Sequence, residues 1–102
     1  ETKDSYTGWL AFPMVVKDDA PFKRRELQIF LEERNIQTRV VFTGNILRQP
    51  GFKDIACKGS PDDFIVADGI MRGGILLGCH HGLTEDLIGH IHSSAADFLD
   101  SY

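Results

Sequence analysis

The chain has 102 residues, 42% of them hydrophobic and 25% charged, which is the size and make-up of one packed domain. Its net charge of -4 and pI near 5.4 lack the basic face that counterion release on nucleic acid requires. No apolar run approaches the roughly 18 residues of a membrane span and no signal-like segment is visible, so a cytoplasmic protein is expected.

The first residues, ETKDSYTG, are polar apart from Tyr6 and read as a linker remnant over 1–8, ahead of a folded unit over 9–102. WLAFPMVV (9–16) has no helical period and is rich in aromatic and β-branched residues, which predicts a strand covered on both faces. Pro13 offers no donor, so this strand belongs at a sheet edge or carries a bulge. APFKRRELQIFLEERN (20–35) predicts a helix. Pro21 suits the first helical position, Asp18 or Asp19 the cap, and Asn35 a left-handed terminus. Lys23, Arg24 and Arg25 read as a solvated helix start, although cations there oppose the macrodipole.

IQTRVVF (36–42) predicts a second strand, with Ile36, Thr38, Val40 and Phe42 on one face and Gln37, Arg39 and Val41 on the other. Residues 43–60 are irregular, punctuated by Pro50, Gly44, Gly51 and Gly59, with a single helical turn near 51–55. PDDFIVADGIMR (61–72) begins like a helix and brings Val66, Ala67 and Ile70 to one side. GGILLG is a short apolar strand. GLTEDLIGHIHSSAADFL supplies the strongest helix, capped by Thr84, with Glu85 and Asp86 complementing its dipole. The order β-α-β-loop-α-β-α predicts an α/β sandwich, a small β-sheet with helices packed on one face.

Few residues announce chemistry. Cys57 and Cys79 are too few and too distant for a thiolate knuckle and are expected as buried, reduced thiols. His90 and His92 are two apart on a helix and face different directions, so no metal site is expected. No nucleophile elbow or phosphate loop occurs, and no complete catalytic machine is visible. The stretch TRVVFTGNILRQPGF (38–52) stands apart. Arg39 and Arg48, with Asn45 and Gln49, have the donors to hold a carboxylate or phosphate and a sugar hydroxyl. The plainer alternative is that Asn45 makes the turn while Arg48 pairs with Asp54 at the surface.

FLEERNIQTRVVFTGNILRQPGF followed by ADGIMRGGILLGCHHGLTEDLI resembles the C-terminal small domain of the DegT/DnrJ/EryC1/StrS family, fold-type-I pyridoxal-phosphate (PLP) enzymes acting on nucleotide-linked sugars. The similarity runs from Trp9 to about Leu99. It rests on the order Thr-Arg, Gly-Asn, Arg-Gln-Pro and on the GLTED helix start. TGNILRQP is most similar to the branch of 4-keto-6-deoxyhexose 3-dehydratases of lipopolysaccharide deoxysugar synthesis. CHHGLT departs from the Tyr-Pro-Gly or His-Pro-Gly form of that branch, which leaves dehydratase and aminotransferase both open. The resemblance implies that PLP or pyridoxamine phosphate, and the lysine or histidine deciding the reaction, lie in a large N-terminal domain. This lobe, not active alone, would form one wall of the substrate cleft, with Arg39, Phe42, Asn45 and Arg48 facing the nucleotide-sugar and His81 reaching it from the HHG turn. It further implies a homodimer when full-length and, for a dehydratase, an iron–sulfur reductase partner. A freestanding nucleotide-sugar-binding or dimerisation module without catalysis is the alternative.

Overall fold

The structure, a computed structural model, describes residues 3–102. Its elements are β1 (Ala11–Val15), α1 (Arg24–Glu33), β2 (Thr38–Val40), α2 (Ile65–Gly73), β3 (Gly74–Gly78) and α3 (Glu85–Leu99), with 3-10 turns at Ile46–Arg48, Pro50–Phe52 and Pro61–Asp63. The element order is the expected one. All three strands form one antiparallel sheet ordered β1-β3-β2.

Opposed residues of paired strands share a face, so the register sorts the sheet. Met14, Ile75 and Val40 form one row across it, and Phe12, Leu77 and Thr38 the next. Ile75 and Leu77 of the central strand are buried there with Leu31 of α1 and Ile36, and Leu27, Phe30 and Ile91 pack around them. The opposite face carries Pro13, Leu76 and Arg39 in a row. Pro13 therefore sits in an edge strand, where a missing donor breaks no central ladder. That edge position also corrects the expectation of a strand covered on both faces, because Phe12 and Val15 are more than half exposed.

α1 begins three residues later than Pro21 suggests. Neither Asp18 nor Asp19, the two expected caps, takes that place, and Asp18 instead pairs with Arg72 at 2.8 Å. Lys23 takes the N-cap position, its N–H donating to the Glu26 carboxylate at 2.7 Å. Nor is the basic start wholly solvated. The Arg24 guanidinium donates to the carbonyls of Met71 (2.9 Å) and Gly74 (3.3 Å) at the end of α2. A cation poorly placed for the dipole of α1 thus satisfies the C-terminal carbonyls of its neighbour. Asn35 adopts the left-handed conformation (φ 60°) that turns the chain into β2.

α3 starts at Thr84, whose hydroxyl accepts from the Leu87 N–H at 3.3 Å. Its far end is held by an aromatic cluster. Phe98 lies 4.8 Å from Phe22, 5.0 Å from Phe30 and 5.2 Å from Tyr102, ring centre to ring centre. α2 runs straight into β3 and turns Asp68 inward, leaving Val66 exposed, contrary to the expected face. At this junction a Cβ on Gly73 would lie 2.3 Å from the Val16 carbonyl oxygen, so only glycine fits so close to β1. Cys57 is exposed and Cys79 half-buried, which corrects the expectation of two buried thiols. Of the expected linker, residues 1 and 2 lie outside the described residues, and 3–8 are exposed.

Candidate functional site

The loop after β2 is laid along α2. Phe42 takes φ 45°, its N–H donates to the Val40 carbonyl, and that of Gly44 donates to Val41. The strand alternation ends here, so Phe42 does not join the inner face with Thr38. It projects outward and is 87% exposed. Gly44 is left-handed (φ 63°) and packs against Met71 so closely that a Cβ would lie 2.3 Å from the Met71 Cβ.

Asn45 is 2% exposed and fully used. Its amide donates to Asp68 Oδ1 (2.8 Å) and the Pro61 carbonyl (2.9 Å), while its oxygen accepts from the Leu47 N–H (3.2 Å). Arg48 meets the same carboxylate side-on, Nε to Oδ1 and Nη2 to Oδ2, both at 2.6 Å, and Nη2 also reaches Asp62 at 2.8 Å. The bidentate pair and the Asn45 amide hold the Asp68 carboxyl down at a pKa of about 2. Bonds to Asp68, then to Asp62, push the Arg48 guanidinium further above its ordinary value. Of the two parts of the plainer alternative, Asn45 does make the turn, but the acids on Arg48 are Asp68 and Asp62 rather than Asp54.

Arg39 lies elsewhere. On the outer sheet face opposite Leu76, its guanidinium donates no hydrogen bond among the described residues, although its charge helps hold the Glu32 carboxyl down. It borders a cleft of about 420 Å³ at the end of the sheet, where β3 outruns the short β2. Leu76, Leu77 and Leu83 supply an apolar floor, and Gln37, His80 and His90 stand around it. His80 Nδ1 accepts from the Gly82 N–H at 3.1 Å, which leaves the proton of the neutral ring on Nε2. Neither Phe42, Asn45, Arg48 nor His81 borders this cleft. His81 is exposed, its ring 6.5 Å from that of His80. The two arginines are therefore not brought into one concavity.

A larger groove of about 620 Å³ runs between β1, the start of α1 and α3, lined chiefly by residues such as Phe12, Met14, Phe22, Ile88 and Leu99. Its charged or titratable lining is limited to Lys17, Asp19, Cys79 and His92. Lys17 is the one lysine or arginine in this apolar lining, which does not make the multi-donor phosphate cradle that PLP requires. No helix among the described residues is long and apolar enough to cross a membrane.

Sequence reasoning missed Asp68, the hub of the loop, whereas His80, which the sequence offers with His81 as pocket lining or a turn contact, does line the Arg39 cleft and bonds Gly82. The signal for Asp68 was a lone carboxylate three residues before Met71 on a short helix, where an inward phase leaves an acid needing a cation.

Residues 1–95 match the model of the DegT/DnrJ/EryC1/StrS aminotransferase family. The chain is 33% identical to a dTDP-4-dehydro-2,6-dideoxy-D-glucose 3-dehydratase of Saccharopolyspora spinosa, over 96% of this chain and 21% of that protein. It is 32% identical to the lipopolysaccharide biosynthesis protein RfbH of Salmonella typhimurium, over 96% of this chain and 22% of the other. A crystal structure of GDP-4-keto-6-deoxymannose-3-dehydratase, with a trapped PLP–glutamate geminal diamine, superposes with a TM-score of 0.69 at 25% identity. That match covers 84% of this chain and 22% of the other. The chain thus spans about a fifth of the length of these relatives. With a family match over nearly its full length and the same small antiparallel sheet and three helices, it belongs to the DegT/DnrJ/EryC1/StrS family.

Proposed function

We propose that residues 9–102 are the C-terminal lobe of a PLP- or pyridoxamine-phosphate-dependent 3-dehydratase acting on a nucleotide-linked 4-keto-6-deoxyhexose in deoxysugar synthesis, and that the lobe supplies one wall of the substrate cleft. The names of the 3-dehydratases it resembles, each matched over one fifth of its length, support this reading. The observation that carries the cleft assignment is the contrast between Arg39 and Arg48. Arg48 and Asn45 are consumed within the lobe, whereas the Arg39 guanidinium donates no hydrogen bond among the described residues and Phe42 is 87% exposed.

In this reading Arg39 receives the diphosphate, with the His80 Nε2–H on the same cleft, because a guanidinium matches phosphate oxygens two at a time. Phe42 offers an apolar face to the sugar or base. Asn45 and Arg48 hold the loop in place, and His81 lies at the margin. The cofactor is held by residues outside this chain. The large lobe, a second copy of the whole enzyme and, for the dehydratase, an iron–sulfur reductase are the partners implied.

The test uses the full polypeptide that carries these residues, incubated with PLP, glutamate, a reductase and a nucleotide-linked 4-keto-6-deoxyhexose. Mass spectrometry is expected to show loss of the 3-hydroxyl oxygen. Gain of an amino group would move the chain to the aminotransferase branch, and neither product would remove the enzyme reading. Arg39→Ala is expected to raise KM about 10–100-fold, the worth of one charged hydrogen bond. An unchanged KM would take Arg39 out of the cleft.

A further inference from the structure

The structure assigns to Asp68 the role of positioning residue for the recognition loop: its carboxylate fastens residues 44–48 to α2 and thereby sets where Phe42 is presented to the nucleotide-sugar. This inference rests on the cleft reading above and deepens it.

Three observations converge on this residue. First, Asp68 is 9% exposed and receives three hydrogen bonds from the loop, two from Arg48 and one from Asn45. Both of its oxygens are occupied by loop donors, so a neutral amide of the same shape cannot replace it. One end of that amide would turn an NH2 toward a donor of Arg48 or Asn45. Second, the neighbouring residue one turn along, Met71, is the surface against which Gly44 closes, and the Met71 carbonyl is tied to Arg24. The helix that holds the loop is itself fixed to α1. Third, the tethers stop short of Phe42. Beyond Gly44, Thr43 is reached by the Gln49 amide at 3.3 Å, while the one hydrogen bond of Phe42 among the described residues runs from its N–H to the Val40 carbonyl. The ring position is therefore set between Val40 of β2, whose carbonyl accepts from the Phe42 N–H, and the fastened residues that follow it.

An anchor of this kind acts on binding more than on the chemical step. A loop that must be ordered by substrate lowers apparent affinity by the fraction of time it spends displaced.

The experiment compares Asp68→Asn with wild type in two readouts. In the 102-residue chain, amide hydrogen exchange is followed at residues 43–49 and, as internal reference, at Ile75–Leu77 in the central strand. In the full enzyme, kcat and KM for the nucleotide-sugar are measured separately. The expected result is exchange at 43–49 faster by tenfold or more with the strand unchanged, and KM raised about tenfold with kcat within twofold. Asp62→Asn, which removes only the exposed partner of Arg48, is expected to change neither readout by more than about twofold. Should Asp68→Asn fail to fold, Arg48→Gln releases the same clamp from its solvent side and carries the same expectations.

Unchanged exchange in the loop overturns the inference outright. Faster exchange with unchanged KM also overturns it, and Phe42→Ala then separates the causes. If Phe42→Ala raises KM, the cleft reading stands and only the positioning role of Asp68 falls. If Phe42→Ala leaves KM unchanged too, the assignment of this loop to the cleft falls with it.

Discussion

Gly44→Ala puts the packing of the loop on α2 to a direct test. The added methyl meets two separate penalties. Gly44 sits at φ 63°, in the left-handed region, where a β-carbon costs about 1–2 kcal/mol. The built Cβ would also lie 2.3 Å from Met71 Cβ, 2.6 Å from its Cα and 2.7 Å from its Cγ. Two of those three atoms cannot swing away by rotamer change, so loop and helix must separate, at about 1–3 kcal/mol for an overpacked site. Together the loss is about 2–5 kcal/mol, a large share of the roughly 5–15 kcal/mol that holds a domain of this size.

Urea denaturation followed by far-UV circular dichroism reads this as a midpoint lowered by on the order of 1–2 M at unchanged slope. Gly51→Ala is the matched control, because its added methyl meets nothing within 4 Å and its φ is not positive. It is expected to stay within about 0.5 kcal/mol of wild type. Met71→Ala should not rescue Gly44→Ala, since alanine retains the two atoms nearest the clash. If Gly44→Ala proved as harmless as Gly51→Ala, the account of a loop pressed against α2 would be wrong.

Other expectations follow from single contacts. Ile75→Ala empties the fully buried centre of β3 and should cost about 2–5 kcal/mol in the same urea assay. Thr84→Ala removes the cap of α3 and should cost about 0.5–2 kcal/mol, with Thr84→Ser close to wild type. Glu32 accepts from the Thr38 N–H at 2.6 Å and from its hydroxyl at 2.9 Å, bonds that hold its carboxyl below the ordinary value. Because folded pKa values of Glu32 and Asp68 are depressed, their contributions are present above the unfolded pKa values and are lost as pH falls through the folded ones. Thermal unfolding between about pH 5 and pH 2 should therefore show a falling Tm, with a shallower fall in Glu32→Gln. A slope equal to wild type in that variant would show that Glu32 does not hold the edge of β2.

The parts of this fold that were legible in the sequence are those decided by neighbouring residues. Thr84 ahead of Glu85 and Asp86 marks the start of α3 whatever the rest of the chain does, and Asn35 marks the end of α1 for the same reason. Pro13 narrowed β1 to an edge or a bulge because a missing donor is a property of one residue, and the edge is what the sheet shows. The start of α1 was not local. Asp18 was a better cap on paper than Lys23, but Arg72, 54 positions away, took it. The phase of α2 went astray likewise, because a face chosen by hydropathy alone prefers Val66 to an aspartate. Only the arrival of Arg48 and Asn45 from the loop makes an inward Asp68 less costly than an inward valine.

The same physics explains why the loop at 38–52 could not be assigned from composition. Arginine, asparagine and glutamine are what a loop needs to grip a ligand, and also what it needs to grip its own helix. The two uses differ only in which donors remain unspent after folding. Asn45 has none, and Arg48 has turned its Nε and Nη2 edge onto carboxylates of the lobe. Arg39, nine residues earlier and two strands' width from β1, has spent none among the described residues. In the proposed reading this stretch therefore does two separate jobs: Arg39 and Phe42 are left for the nucleotide-sugar, while Asn45 and Arg48 fasten residues 44–48 to α2.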